Sequence, residues 1–392
     1  MNSLNTAVTP SNSSGLSQRD QSPEDPSAEV ARLKCTIAEL HGNLNTGPNK
    51  RPTSTITMGR GIRRIVALFT EIPKLVRESD RREELLTQDD DEDQEDDNPS
   101  CDTTKLQRDR DQMYVAYQQL CLLVPNFKTN LLNTDPVVVS TYISSLTRGS
   151  NDARGDDINK VMKAVANWLN QLPATTPPIN PEDRSMRGLK HDTTGWLLCP
   201  IEFNWDDEVV RANLREGAEG FNVSSSFFAR CFYKNGTGDP QDVEKNFLRG
   251  YLLIKVYLAI FFSPSSANRI TDDEHDGSGS PASSTSGSSK ATKSTVAQRM
   301  HLESVTPRSI AYAAVLLHFL LTDAAHWKTT HNGFGYEHLY NFIIDFFEDV
   351  DGDRAKERAD TLLQWWNKKV FPVREAAAAN ALASINKLKV QR

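Results

Sequence analysis

Residues 243–262 are apolar around almost the whole circumference of a helix drawn through them. A helix without a polar face is stable only where the rest of the protein surrounds it. Two apolar runs, 250–262 and 310–321, are shorter than the roughly 20 residues of a membrane span. Lys255 and His318 interrupt them. The sequence therefore predicts a buried helix at the centre of a helical domain.

Helical periodicity extends over the chain from about residue 103 to residue 372. Within 156–172, apolar residues recur at i, i+3, i+4 and i+7, the pattern of an amphipathic helix. We expect an all-α fold: a single helical domain over 103–372 with a central apolar helix, preceded by a disordered and amphipathic N-terminal arm. Helices should start at Asp135-Pro136, Asp239-Pro240 and Thr306-Pro307, where a capping residue precedes proline, and further helices should cover 206–216, 334–349 and 353–370.

Two stretches have compositions that do not support folding. Residues 1–27 contain almost no large apolar side chain, and ten of the fourteen residues in 277–290 are Ser or Gly. Such segments bury too little apolar surface to offset the entropy of the chain. We expect both to be disordered, the second as part of an insertion at about 271–303. The other expected boundaries are a short heptad helix at 28–46, a basic helix with an acidic linker at 47–102, and an Ala-rich tail at 373–392.

The segment 28–45 carries an apolar seam with heptad spacing. It holds only two heptads, fewer than the three or four that identify a coiled coil. Two interpretations stay open: self-association through a coiled coil, or one amphipathic helix folded back on the main body. The seam consists of Val30, Leu33, Ile37, Leu40 and Leu44.

Charge is distributed unevenly along the N-terminal arm. Residues 50–82 contain nine Lys or Arg against three acidic residues, and 89–97 contains eight carboxylates in nine positions. Because the whole chain has a net charge of −7, the chain outside the acidic run is nearly neutral. A basic segment followed by an acidic one indicates a docking or regulatory arm.

Within the basic segment, residues 61–77 predict an amphipathic helix that ends at Ile72 or kinks at Pro73. Its apolar stripe is the candidate surface for docking to a protein partner. Its arginines, at a helix start preceded by glycine, are the candidates for anion contact, because free backbone N–H groups there bind phosphates. The predicted docking residues are Ile62, Ile65, Phe69 and Ile72, and the predicted anion contacts are Arg60, Arg63 and Arg64.

Motifs for catalysis, cofactors and metals are not found in the sequence. The sequence contains no phosphate-binding loop and no dinucleotide-binding fingerprint. The HExxH motif of metalloproteases and the GxSxG motif of serine hydrolases are also not found. His326, His331 and His338 have the wrong spacing for a zinc site. Gly352 falls at the fourth position of an acidic turn, whereas a calcium loop requires glycine at the sixth. We therefore predict no catalytic residue, no cofactor and no metal.

The expected compartment follows from cysteines and targeting signals. The five cysteines are an odd number at wide spacing, which favours reduced thiols. The N-terminus has neither the basic nor the apolar region of a secretory signal. We expect a soluble, intracellular protein, cytoplasmic or nuclear, with no membrane partner.

Several sequence motifs follow one another through the second half of the chain. They are LLCPIEFNWDDEVVRANLREG (197–217), SPSSA (263–267), SVTPRSIAYAAV (304–315), YEHLYNFIIDFFED (336–349) and LLQWWNKKVFP (362–372), preceded by NDARGDDINKVMKAVANWL (151–169). Over roughly 110–372 the chain thus resembles an uncharacterised domain family that is expanded in mushroom-forming (basidiomycete) fungi. The resemblance implies a helical fold and an intracellular fungal setting. It implies no reaction and no binding residues.

Three functions are compatible with these features. The first is a non-enzymatic protein that binds or scaffolds other proteins. The second is a nucleic-acid-associated protein that uses the basic 50–82 segment, although the neighbouring acidic run can occupy the same basic surface. The third is an enzyme, because side chains distant in sequence can converge on a pocket.

Overall fold

Helices make up most of the folded chain. The computed structural model describes residues 54–87, 101–132, 135–224, 227–268, 294–372 and 374. This part contains thirteen α-helices and one two-stranded antiparallel hairpin, so the all-α prediction is confirmed. The elements are α1 (Thr55–Gly61), α2 (Ile72–Thr87), α3 (Cys101–Leu123), α4 (Phe127–Leu131), α5 (Pro136–Asn170), α6 (Asp192–Leu198), α7 (Glu208–Glu216), α8 (Tyr251–Phe261), α9 (Pro264–Ala267), α10 (Val296–Arg299), α11 (Pro307–Leu321), β1 (Thr330–His331), β2 (Phe334–Gly335), α12 (Tyr336–Glu348) and α13 (Asp353–Val370).

Two apolar helices, α8 and α11, lie at the centre of the molecule. Every residue of α11 from Arg308 to Leu321 is buried, and so is every residue of α8 after Tyr251. Thr306 caps α11 through a capping box with Ser309, as the Thr-Pro start predicted. Burying a large aliphatic side chain contributes about 1.5–3 kcal/mol each. These two helices therefore supply much of the driving force for folding.

The central helix is shorter than the apolar segment that predicted it. The helix expected over 243–262 begins only at Tyr251, because Asn246 and Leu248 adopt left-handed backbone angles (φ 64° and 55°) that interrupt a helix. Phe247 is nevertheless only 2% exposed. Its ring lies 5.4 Å from the ring of Tyr233 and 5.7 Å from that of Phe346. The apolar pattern was right about burial and wrong about the helix start.

The described part of the chain has two large hydrophobic cores and one small cluster around Trp205. The main core contains Leu68 and apolar residues distributed from Ile158 to Val370. A second, N-terminal core contains buried residues between Ile62 and Leu146, contributed by the segment 62–75 and by helices α3 to α5. Among the described residues, Leu68 is the only buried residue of the main core that precedes α5 in the chain.

The helix predicted over 61–77 is interrupted. After α1, residues Ile62–Val66 form a π-helical turn and Ala67 is extended (φ −153°). Helix α2 then begins at Ile72, so Pro73 lies in the first turn of a new helix, whereas we expected it to end or kink the preceding one. Proline is tolerated there because the first N–H groups of a helix have no partner within the helix.

Helix α1 packs directly on the backbone of α5. A Cβ atom added at Gly59 would lie 2.2 Å from the carbonyl oxygen of Leu146. One added at Gly149 would lie 2.1 Å from the carbonyl oxygen of Ile56. Glycine is therefore required at both positions. Residues 54–70, which we expected to belong to a mobile arm, are part of the folded structure.

Smaller differences from the expected boundaries concern three segments. The amphipathic pattern at 156–172 belongs to the 35-residue helix α5, which Asp135 caps at the predicted place. Residues Asp192–Leu198 form a short helix that the sequence did not predict. The expected insertion at 271–303 ends earlier, because α10 folds and buries Ala297.

Several expectations concern residues outside the described ranges. These are the disordered N-terminus, the heptad seam at 28–45, the acidic run at 89–97, the Ser-rich stretch at 277–290 and the Ala-rich tail. They stay predictions.

We predict that Leu253→Ala lowers the free energy of unfolding by about 2–5 kcal/mol, because it leaves a cavity inside the main core. Leu253 is fully buried. Urea denaturation followed by circular dichroism measures the change. Val209→Ala is the control, since Val209 is 68% exposed and the change should stay within about 0.5 kcal/mol. Equal effects of the two substitutions would contradict the central position of α8.

Candidate functional site

A buried ion pair joins the N-terminal segment to the centre of the domain. Arg64, in the π-helical turn, donates from Nε and Nη2 to the two carboxylate oxygens of Asp157 on α5, at 2.7 and 2.8 Å. Tyr312, on α11, donates its hydroxyl to Asp157 Oδ2 at 2.8 Å. Both charged side chains are 3% exposed. A two-bond arginine–carboxylate contact fixes the orientation of both groups.

Protonation states in this cluster follow from burial and charge. Burial opposes the charged form of Arg64, but the hydrogen bonds and the charge of Asp157 raise its pKa above the ordinary value. Burial and the Asp157 carboxylate hold the pKa of Tyr312 well above its usual range. The tyrosine therefore keeps its proton and acts as a donor. The cluster is a structural link with all three groups engaged.

The other two candidate arginines are also engaged within the chain. Arg63 donates to the carbonyl oxygen of Leu68 at 2.8 Å and to Asn151 Oδ1 at 3.1 Å. Arg60 forms an ion pair with Asp156 at 2.5 Å. The basic helix start that we expected to meet a phosphate thus meets protein carbonyl and carboxylate oxygens. In this conformation Arg63 and Arg64 do not form a free basic surface.

Arg308, one helical turn before Tyr312 on α11, also binds the same segment. It donates from Nη1 to the carbonyl oxygen of Val66 at 2.7 Å and from Nη2 to that of Gln112 at 3.0 Å. Its guanidinium also pairs with Glu348 at 3.0 Å. The carbonyl of Val66 is free to accept because the backbone leaves the helical conformation at Ala67. Arg308 thus binds a main-chain oxygen of the N-terminal segment directly.

The candidate docking stripe faces the interior. Ile62 and Ile72 are 1% and 3% exposed and belong to the N-terminal core. Ile65 is half-buried between the two cores. Phe69 packs on the main core, with its ring 6.2 Å from that of Trp327 and 5.7 Å from that of Tyr340. In this structure the four residues bind the chain's own helices and do not offer a surface to a partner.

Sequence reasoning missed the residues that receive this segment. Asp157, Arg308 and Tyr312 are buried polar side chains on helices whose neighbouring positions are apolar. A polar residue at a core position of an amphipathic pattern was the available signal, because buried charges need partners. The pattern did not indicate which residues, 40 to 242 positions away in sequence, would supply these partners.

Exposed apolar side chains recur where α3, α4 and α5 follow one another in the chain. Val137 and Val138 line a groove of about 350 Å³ together with Thr55 and Tyr142. The side chains that define this surface, which we call the 122–138 surface, are Leu122 (83% exposed), Leu132 (82%), Val137 (72%) and Val138 (47%).

A small polar cluster near β1 contains one of the candidate histidines, His331. His331 bonds to Asp323 Oδ1 at 2.7 Å, and Lys190 donates to the other oxygen at 2.9 Å. The buried His318, on α11, stacks on Phe334 with 3.9 Å between the ring centroids. Burial lowers the pKa of His318 to about 3. Within the described ranges, no three His, Cys, Asp or Glu side chains are grouped to hold a metal.

Comparison with known proteins places this helical domain in a family. A family of unknown function (DUF6698) matches residues 148–371, more than half of the chain, and the chain belongs to that family. No curated protein and no solved structure matches it. The fungal distribution that the resemblance implied stays a prediction. None of the described helices has the length and apolar character needed to cross a membrane.

We predict that Arg64→Ala destabilises the protein by about 3–5 kcal/mol, because it leaves the Asp157 carboxylate buried without its partner. Thermal and urea unfolding measure the loss. Arg60→Ala is the matched control: its pair with Asp156 is partly exposed and should contribute less than about 1 kcal/mol. The double substitution Arg64→Met with Asp157→Leu should recover much of the loss. A small effect of Arg64→Ala alone would contradict the buried link.

We predict that His318 makes the fold sensitive to mild acid. Above its ordinary pKa of 6.5 it is neutral in both folded and unfolded chains. Between pH 6.5 and about 3, only the unfolded chain takes up the proton, so stability falls as the pH falls. Between pH 7 and pH 5 the contribution is about 2 kcal/mol. His318→Gln should lose less stability over this interval than the unmodified protein; equal losses would refute the assignment.

Proposed function

We propose that this chain is a non-enzymatic intracellular protein that binds other proteins, and that the 122–138 surface is its binding site. The observation that carries the proposal is the exposure of Leu122, Leu132 and Val137, which lie within sixteen residues of sequence and are each more than 70% accessible to solvent. Grouped exposed apolar side chains mark interaction sites, because leaving them in water is unfavourable. Scattered single residues would not support the same conclusion.

Shape and charge around this surface support a protein partner. The groove beside Val137 and Val138 has the volume to receive one or two apolar side chains. Charged residues occur in the same part of the chain: Lys128, between Leu122 and Leu132 in sequence, pairs with Glu83 at 3.6 Å, and both side chains are exposed. An apolar centre with a polar rim is the usual anatomy of a protein interface. Burying one such side chain contributes about 1.5–3 kcal/mol.

The thiols support the intracellular part of the proposal. Cys121, Cys199 and Cys231 are free. Burial raises the pKa of the Cys231 thiol above its ordinary value, which keeps it protonated and unreactive. Free, unpaired cysteines in a folded domain are typical of a reducing compartment.

We predict that a photoreactive benzophenone amino acid at Val137 forms covalent adducts with protein in cells that express the full-length chain. The same amino acid at Val209, which is equally exposed but lies on α7, is the control. Leu132→Asp combined with Val138→Asp should abolish the adduct at position 137 without changing the melting temperature by more than a few degrees. The adduct is identified by mass spectrometry.

Three results would contradict the proposal. The first is an absence of protein adducts at position 137, and the second is an equal yield at position 209. The third is an adduct with RNA or DNA, which would favour the nucleic-acid alternative. An adduct with a second copy of the chain would support protein binding and identify self-association as the interaction.

A further inference from the structure

The start of the family match separates the main core from the N-terminal core. The matched region, residues 148–371, contains the main core except for Leu68. The N-terminal core lies wholly outside it, since its last buried residue is Leu146. The family module therefore has its own core, and a segment from outside the module is bound to its surface.

The surface that receives this segment belongs to the module. We call it the module groove; it is formed by α5, α11, the segment between α11 and β1, and α12. All six side chains that define it lie within 148–371, whereas the segment bound in it, 60–70, lies outside. They are Asn151, Asp157, Arg308, Tyr312, Trp327 and Tyr340.

The contacts in the module groove have the character of peptide recognition. Asp157 binds one guanidinium through two bonds, and Arg308 binds a backbone carbonyl, that of Val66. Apolar contacts follow within five residues of Arg64, where Leu68 is fully buried and Phe69 packs between Trp327 and Tyr340. The bound segment is a π-helical turn followed by extended backbone, so its carbonyls are available to the groove.

Charge explains why the groove selects arginine. The Asp157 side chain is 3% exposed, and a carboxylate at that depth is stable only beside a cation. A planar guanidinium satisfies both carboxylate oxygens at once, which a lysine ammonium does not. The hydroxyl of Tyr312 holds the carboxylate in place. An emptied groove would expose an unpaired acid beside an aromatic pocket.

We propose that the module groove is a recognition site for protein segments that carry an arginine pair followed by apolar residues, and that residues 60–70 occupy it as an intramolecular ligand. A partner with the same arrangement competes for the groove with the chain's own segment. The covalent connection gives the internal segment an effective concentration in the millimolar range. Binding in trans is therefore weak until the internal segment is released.

The test uses the full-length protein and a fluorescent synthetic peptide of residues 60–72. Unmodified protein should bind the peptide weakly. The Arg64→Ala protein, whose internal segment has lost its anchor, should bind it at least tenfold more tightly. A peptide with Arg64→Ala should not bind to either protein. Adding Asp157→Asn to the Arg64→Ala protein should remove the gain. Arg215→Ala, which breaks a distant pair with Asp192, is the control and should bind like the unmodified protein.

A second variant keeps the test decisive if Arg64→Ala fails to fold. Phe69→Ala removes the aromatic contact and leaves Asp157 paired, and it should also increase peptide binding, by a smaller factor. Circular dichroism establishes whether each variant is folded. If a folded variant binds no peptide, or if both variants unfold and the peptide does not restore helicity, the segment is an inseparable part of the core and the proposal is wrong.

Discussion

Helix α11 has no side in contact with water, and the rest of the structure is arranged around that constraint. Most of its surface is apolar and is covered by α8, α12 and the other helices of the main core. Two of its residues, Arg308 and Tyr312, place polar groups in the same interior. Their partners are supplied by Asp157, Glu348 and the carbonyl of Val66. The N-terminal segment is bound where the buried helix needs polar partners.

The sequence predicted the parts of the fold that depend on local patterns. Capping by Asp135 and Thr306 and the extent of α13 follow from neighbouring residues, and the structure confirms them. The segment 61–77 could not be predicted in the same way. Its stripe is compatible with a helix, but the contacts of Arg64 with Asp157 and of Arg308 with Val66 stabilise a π-helical turn and an extended residue instead. Long-range polar contacts overrode local periodicity.

Functional candidates were harder to predict for the same reason. Composition identified Arg63 and Arg64 as a basic surface, because the sequence does not show that Asn151 and Asp157 lie beside them. The exposed residues Leu132 and Val137 carried no signal, since an apolar residue in a helical region is ordinarily assigned to a core. The segment between α5 and α6 contains a further buried arginine that the sequence did not indicate. Its Arg187 is buried and donates to the carbonyl of Leu320 at the end of α11.

Hydrogen exchange tests most directly whether the N-terminal segment is held on the family module by Arg64. The measurement is deuterium uptake by peptides that cover 62–70 and 310–320, in the unmodified protein and in Arg64→Ala. We predict slow uptake in both peptides of the unmodified protein. In the variant, uptake over 62–70 should rise by at least tenfold while that over 310–320 changes much less. Rapid uptake over 62–70 in the unmodified protein, or identical uptake in the two proteins, would contradict the account.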